Sequence, residues 1–414
     1  MTRSGPLRDN VDFRRYWVGQ VASDLGTQVS LVAFPLLVLA LGGTPAQAGG
    51  IATGSLVARL ICRLPAGVLA DRCDRRRVML WADGVRAVAL GTIPLVALLG
   101  GSSYVHLLAV AVVEGAAAAA FAPAATIAVR ALVPPGQLTD AMARSQARVA
   151  VVSLLGPALG GWLFTVGRLV PFAVDAGSYL ASAVQIWRIR TPLRPVPRAE
   201  WTDPRLLAGV RWLLARSDLR SMFAFASVIN AVLGSAVLAI VVTAERRGVP
   251  GTGIGLVVAA VGAGGVLGSV IAPTVVRRLA PARLFRAVGA VVTGMLGVLA
   301  LASSPWLVGP VLAAPFLLAP SAGIVVGKAM LVGAPVELQG RVAVAGDLML
   351  LGFAAVGPLL TGVLLGATGA RVTWLVLAVL AGAITLASLP ALRTPGFLGS
   401  TQRTEVDVDV RYVG

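Results

Sequence analysis

The residues of this chain that could do chemistry stand out because their surroundings are apolar. Glu114 lies well inside a run of Val, Ala, Leu and Gly, and Asp24 sits in a similar run as Ser23-Asp24-Leu25-Gly26. Arg59 and Arg63 are four residues apart, on one face of a helix. Lys328 and Asp347 occupy two further apolar runs, and Asp83 and Arg86 a third. Placing an ionisable group in lipid costs about 2.5–3.5 kcal/mol on insertion scales. Such a group persists where it faces water or an opposite charge. Two chemistries follow. One is ion pairing, with Asp24 as a candidate counter-charge for Arg59 and Arg63, Asp83 with Arg86, and Lys328 with Asp347. The other is proton exchange at a carboxylate whose setting disfavours charge, for which Glu114 and Asp24 are the candidates. Structural pairing and contact with substrate or protons both remain open for these residues. Asp175 has no assignment from sequence. His106, the one histidine, reads as an interfacial polar residue.

Other chemistries find no support. Cys62 and Cys73 provide neither a disulfide framework nor zinc spacing. There is no Gly-rich phosphate loop and no Ser–His pair for nucleophilic catalysis. The expectation is a protein that is not an enzyme and uses no metal, no cofactor and no ATP. Met1 to Asp12 is polar and carries no signal-like apolar run.

The elements that position these residues follow from composition. Hydrophobic residues make up 57% of 414 and charged residues 13%, with mean hydropathy +0.86. A soluble domain carries roughly 25% charged residues. A chain this apolar uses lipid as solvent, and a spanning helix needs about 20 residues. Twelve such runs are expected, at 16–41, 46–70, 78–99, 104–131, 144–166, 169–189, 219–243, 252–276, 284–303, 306–332, 342–366 and 372–390. No strand-like alternation competes. Trp17, Trp81, Trp187, Trp306 and Trp374 fall near the expected span ends and read as interface anchors.

The net charge of +17 is carried almost entirely by arginines in the termini and in the loops after even-numbered spans. That asymmetry places both termini in the cytoplasm. The basic loops then meet anionic lipid headgroups rather than nucleic acid. The expected organisation is a cytoplasmic N-terminus at 1–15, a six-helix half at 16–190, a cytoplasmic linker with an amphipathic helix at 191–217, a second six-helix half at 218–392, and a disordered tail at 393–414. A repeat supports the two halves. At a shift of 201 residues Gly156-Pro157 meets Gly357-Pro358, Gly161 meets Gly362, and Arg76-Arg77 meets Arg277-Arg278. Parallel repeats of this kind are a transporter architecture.

Two motifs sharpen the reading. Gly67-Val-Leu-Ala-Asp71-Arg72-Cys-Asp-Arg75-Arg76-Arg-Val-Met79 joins the second and third spans. It resembles the signature loop of the major facilitator superfamily, with Asp74 in place of the second glycine. Its D-R-x-D-R-R form is similar to the branch of macrolide-efflux proteins and siderophore (enterobactin) exporters, the transmembrane secretion effectors. The resemblance implies that Gly67 packs helices closely and that Asp71 latches the cytoplasmic side against the start of the eleventh span, near Arg341–Val344. In the fifth span Gly156-Pro157-Ala-Leu-Gly160-Gly161 resembles an antiporter motif, with Val152 in place of its first glycine. A third motif, which places an arginine in the fourth span, ends in Glu114-Gly115 but has Ala111 at the arginine position.

The resemblance implies an all-α polytopic membrane protein of twelve transmembrane helices in two pseudo-symmetric six-helix halves. It implies a monomeric inner-membrane secondary transporter that exports a small organic molecule (drug, antibiotic or siderophore) by proton antiport and alternating access. An importer or an uncoupled facilitator of the same fold is the alternative, and a non-transporting membrane partner a further one. The small residues Gly115–Ala120 argue for open space beside the fourth span and against the last of these.

Overall fold

In lipid the backbone finds no water to bond, so an apolar run must satisfy its own N–H and C=O groups as a helix. The computed structural model describes residues 7–101, 103–194, 208–301, 305–333 and 339–388. Among them the regular structure is helical. In chain order the helices are α1 (Val11–Ala40), α2 (Pro45–Arg72), α3 (Arg75–Leu98), α4 (Tyr104–Leu132), α5 (Leu138–Val166), α6 (Val170–Trp187), α7 (Ala208–Ala215), α8 (Ser217–Arg246), α9 (Gly251–Arg278), α10 (Pro281–Leu301), α11 (Pro305–Gly333) and α12 (Gln339–Ser388). α12 contains Gly369 at φ 79, ψ 177, a left-handed backbone open to glycine, which divides it into two arms. Each expected span falls on one helix or one arm.

Nine helices among the described residues are long and apolar enough to cross a membrane, with α12 counted once. α2 and α6 are not among the nine. α6 carries Asp175 and Gln185, which dilute its apolar character, and several α2 side chains lie outside the described residues. The starts are set by side-chain caps. Thr44 and Gln47 form a reciprocal capping box with Pro45 at the first helical position. Asn10 caps α1 by accepting from Phe13 N at 2.9 Å.

The chain forms two compact units. The first comprises Met1–Glu200, Ser235–Ala263 and Gly357–Gly369; the second comprises Trp201–Gly234, Gly264–Val356 and Ala370–Gly414. In the first unit α1 packs on α5 and α6, α3 on α4 and α6, and α2 on α4. Its core gathers Phe13, Tyr16, Met79, Phe121, Ala124, Ala128 and Ile186. In the second, Phe225 and Phe285 meet edge to face at 5.3 Å, and Ser227 Oγ donates to Met349 O at 3.2 Å.

Without a hydrophobic force between helices in lipid, close approach depends on small residues. Gly115 lets α4 lie against the Ser55 carbonyl of α2. Ala117, Ala119 and Ala120 are buried with it, so most of the run expected to leave space instead brings helices together. The two Gly-Pro segments of the repeat make equivalent crossings within the first unit. Gly161 of α5 meets the backbone of Gly251 and Gly255 of α9, and a Cβ at Gly255 would lie 2.5 Å from Pro157 O. Gly362 of α12 meets the backbone of Pro45 and Ala46 of α2, where Gly49 in turn meets Pro358 O. Leu359 N donates to Thr53 Oγ1 at 3.2 Å across that second crossing.

The expectations for Gly67, the tryptophans and the linker meet the structure unevenly. Among the described residues nothing lies within 4 Å of a Cβ built on Gly67, and the start of the eleventh span lies largely outside them. Trp374 is 4% exposed and belongs to a core, whereas Trp81 and Trp187 are exposed; the side chain of Trp306 lies outside the described residues. Of the amphipathic linker helix, Ala208–Ala215 is described. It buries Leu213, exposes Leu214 and sets Arg216 over Trp212 at 5.4 Å. The tail at 393–414 lies outside the described residues.

Gly161→Leu forces backbone apart at the α5–α9 crossing and is expected to destabilise by about 1–3 kcal/mol. Gly177→Ala, on an exposed face with open space around it, is expected to stabilise by about 0.5–1 kcal/mol. Thermal unfolding of the detergent-purified protein checks both; a Gly161→Leu midpoint equal to wild type would refute the crossing.

Candidate functional site

The first unit encloses a cavity of about 290 Å³ between α1, α2, α3, α4 and α5. Its walls carry four of the ionisable groups that the sequence places inside spans, Asp24, Arg59, Arg86 and Glu114. α1 contributes Tyr16, Gln20, Asp24 and Thr27, α2 Arg59, α3 Arg86, α4 Glu114 and Phe121, and α5 Arg148.

Glu114 stands between two guanidinium groups. Its Oε1 is 3.9 Å from Arg59 Nη2 and 4.0 Å from Arg86 Nε, while its Oε2 accepts from Ser55 Oγ at 3.2 Å. Those charge contacts are longer than hydrogen bonds. Glu114 Oε1, Arg59 Nε and Gln20 Nε2 are buried with no hydrogen-bond partner among the described residues. Buried polar atoms are normally paired, so Glu114 Oε1 has capacity for a proton, and all three for water or a ligand.

Arg86 is held more firmly. Its guanidinium lies 5.3 Å from the Phe121 ring and 5.1 Å from the Tyr179 ring, within cation–π range of both. Its Nη1 is 3.8 Å from Asp83 Oδ1, as the three-residue spacing leads one to expect. Asp24 makes the tightest ion pair, Oδ2 to Arg148 Nη1 at 2.8 Å.

A second polar cluster ties the starts of α1 and α3 to the end of α6 and the segment that follows it. Asp12 Oδ2 accepts from Arg190 N at 3.1 Å, Thr191 N at 2.8 Å and Thr191 Oγ1 at 2.7 Å. Arg15 Nη1 donates to Arg188 O at 2.7 Å, Arg75 Nη1 to Arg194 O at 2.8 Å, and Arg76 to Trp187 O. Cations are favoured at a helix C-terminus, where carbonyls are left over. Asp74 has its own role here, since it caps α3 by accepting from Arg76 N at 2.9 Å.

A protein-family description, transmembrane secretion effector, matches residues 1–330. The chain belongs to this family, within the major facilitator superfamily of membrane transporters. It is similar to the multidrug efflux pump Tap of Mycobacterium tuberculosis, at 32% identity over 45% of this chain and 46% of Tap. It is also similar to the enterobactin exporter EntS of Shigella flexneri, at 26% identity over 54% of this chain and 55% of EntS. The chain thus spans about half the length of the curated relatives it matches. Among solved structures it superposes on a bacterial homologue of the lysosomal transporter Spinster (TM-score 0.75, 16% identity, 96% of this chain and 98% of that one). It superposes equally on the nucleoside transporter NupG (TM-score 0.74, 12% identity, 92% and 99%). These two likenesses establish the fold.

The fold brings Glu114, Asp24 and Arg59 to one cavity, as their burial costs require. Asp24 pairs with Arg148, not with Arg59 or Arg63, and Arg59 faces Glu114. Arg148 lies about one turn inside the expected fifth span (144–166), close enough to its end to read as a boundary residue. α5 begins at Leu138, which carries Arg148 nearly three turns into the helix. The position where Ala111 replaces an arginine is answered in space by Arg86 from α3 and Arg59 from α2, which supply cations to the same carboxylate.

Arg63 lies one turn along α2 from Arg59. Lys328 on α11 is exposed and Asp347 on α12 is half-buried, both within the second unit. Of the gate-loop residues, Arg72 is exposed, Arg75 is buried and Arg76 is half-buried. The side chains of Asp71, Arg341, Ala343 and Val344 lie outside the described residues, and the latch expected between them with them. Gly156 and Gly160 of the antiporter-like segment meet Gln28 and Val29, so that segment also seats α5 on α1. His106 Nε2 is 2.9 Å from Thr92 Oγ1, a helix–helix contact.

Removing either member of the Asp24–Arg148 pair leaves a charge without its counter-ion. A double-mutant cycle with Asp24→Asn and Arg148→Gln, read by thermal unfolding, is expected to give a coupling energy of about 1–3 kcal/mol. Additive single effects would show that the pair is not formed.

Proposed function

We propose that this chain is a secondary transporter that exports a small organic molecule across the cytoplasmic membrane in exchange for protons. The observation that carries this reading is Glu114, a buried carboxylate on the cavity wall with one oxygen unfilled and two arginines at loose range. Protonating it removes the negative charge that holds Arg59 and Arg86, and ionising it restores that charge. An exchanger needs a group with two such states that bias the surrounding structure differently. Asp24, paired with Arg148 across α1 and α5, is the second acid that can switch a helix contact in the same way. The names of the relatives, a multidrug efflux pump and an enterobactin exporter, support outward transport of organic molecules.

In this reading residues 16–190 and 218–392 act as the two moving halves of an alternating-access cycle. The linker at 191–217 joins them, and the glycine crossings of α5 on α9 and of α2 on α12 serve as closing contacts. Lys328 and Asp347 serve the second half as Arg59 and Glu114 serve the first. Both termini face the cytoplasm, the protein works as a monomer, and the proton gradient rather than ATP provides the energy. The absence of an arginine at Ala111 favours a second reading, an importer or an uncoupled facilitator.

The test uses everted membrane vesicles from a pump-deficient host, with ethidium and a catecholate siderophore as probes. Proton-gradient-driven accumulation of at least one probe is expected for wild type and is expected to be lost in Glu114→Gln. Equal proton-driven transport by both proteins removes Glu114 from the mechanism, and transport indifferent to the gradient favours the facilitator.

A further inference from the structure

Asp175 of α6 is 1% exposed, and the ion pairs around the cavity use Asp24, Asp83 and Glu114 but not Asp175. It lies in a slot on α1 that exists because residue 26 is glycine; a Cβ there would strike its carboxyl group and the Ser178 hydroxyl. Its oxygens meet only hydroxyls among the described hydrogen bonds. Ser30 Oγ of α1 donates to Oδ2, and Ser178 Oγ lies 3.3 Å from Oδ1.

The Ser178 hydroxyl also lies 2.7 Å from the main-chain oxygen of Asp175, its partner one helical turn back. A serine has one proton to donate, and the shorter contact claims it. Ser178 Oγ can then offer Asp175 Oδ1 only a shared, longer contact with that proton, whereas a protonated Oδ1 can donate to the Ser178 lone pair. In the neutral acid every atom is satisfied: Oδ1–H donates to Ser178, and Oδ2 accepts from Ser30. An ionised carboxylate in the same place would be buried without a salt bridge, which is costly in a medium without water. The charged groups nearest it from the neighbouring elements are Arg86 on α3 and Glu114 on α4, with Tyr179 one turn along α6.

We propose that Asp175 is a further proton-binding site of this transporter, beside Glu114 and Asp24, a carboxylic acid held neutral between α1 and α6 whose ionisation requires Ser178 to turn or the two helices to shift. When the Oδ1–H bond breaks, the proton passes to a water molecule entering along the α1–α6 seam, and the carboxylate remains. The Ser178 hydroxyl must then rotate from the Asp175 main-chain oxygen to the carboxylate. The seam already leads to the cavity: Thr27 lines the cavity and lies 2.8 Å from the Tyr179 hydroxyl. Thr27 Oγ1 donates to Ser23 O at 2.9 Å, so Tyr179 is the donor to Thr27. Proton occupancy at Asp175 is thereby tied to the packing of α1 on α6. The carrier role rests on the proton-exchange reading above; the neutrality of Asp175 does not.

Infrared spectroscopy of the purified full chain in lipid nanodiscs at neutral pH tests the neutrality. A protonated-carboxyl C=O stretch is expected in wild type and in Glu114→Gln, and is expected to be lost in Asp175→Asn. Its persistence in Asp175→Asn, or its absence from wild type, overturns the proposal. Ser30→Ala provides a milder variant: it removes the donor to Oδ2 and should raise the frequency of the band, and an unmoved band counts against the assignment. The carrier role is read in proteoliposomes with ethidium. Asp175→Asn is expected to keep gradient-free exchange and lose proton-driven accumulation, and full proton-driven accumulation overturns that role. A Glu114→Gln protein that still pumps, beside an Asp175→Asn protein that does not, removes the Glu114 reading and leaves this one standing.

Discussion

A hydrocarbon medium offers no hydrogen bonds and no counter-ions, so a polar group within the spans must either face a cavity or find its partner inside the protein. That constraint accounts for the helices, for their close crossings at glycine, and for the gathering of acids and arginines from several helices into one cavity. Backbone satisfaction is local and comes with the helix. Charge satisfaction is not local, and it decides which helix faces must meet. α2 turns Arg59 inward, α3 turns Arg86 inward and α4 turns Glu114 inward because each charge is cheaper beside the others than in lipid.

α1 is the element on which the polar contacts of the first unit converge. Near its start Asp12 holds the backbone at Arg190 and Thr191. One stretch further on, Asp24 pairs with Arg148 of α5. Beyond that, Gly26, Thr27 and Ser30 receive Asp175, Ser178 and Tyr179 of α6. A change of protonation at Asp24 or Asp175 therefore acts on the contact of α1 with a neighbouring helix. Glu114 acts differently, through two arginines at loose range, so its charge bears on the cavity wall rather than on a packed seam. The signature-loop arginines belong to neither set. Arg76 binds a carbonyl at the end of α6 and Arg75 one in the linker that follows.

Much of this was legible in the residues alone. The spans, the Asp83–Arg86 pair and the outlying character of Glu114 and Asp24 follow from spacing and hydropathy. The Gly-Pro segments were legible as packing motifs, and the superfamily signature was legible in Asp71 to Arg76. What was not legible is partner choice. Asp24 has several arginines within reach in sequence terms, and Arg148 is its partner because α5 packs on α1. Asp175 looks like any isolated acid in a span until Gly26 and Ser30 are seen to face it.

The sequence by itself determined that this is a multi-pass helical membrane protein, because hydropathy and helical spacing are local properties that lipid reads directly. It also determined which side chains would be costly to bury. Only the tertiary structure decided how that cost is met, whether by an ion pair for Asp24, by two distant cations for Glu114 or by hydroxyls alone for Asp175. The physical reason is that Coulomb and hydrogen-bond energies depend on separations of a few ångströms between residues far apart in the chain. Those separations are set by how helices cross, which no single helix encodes.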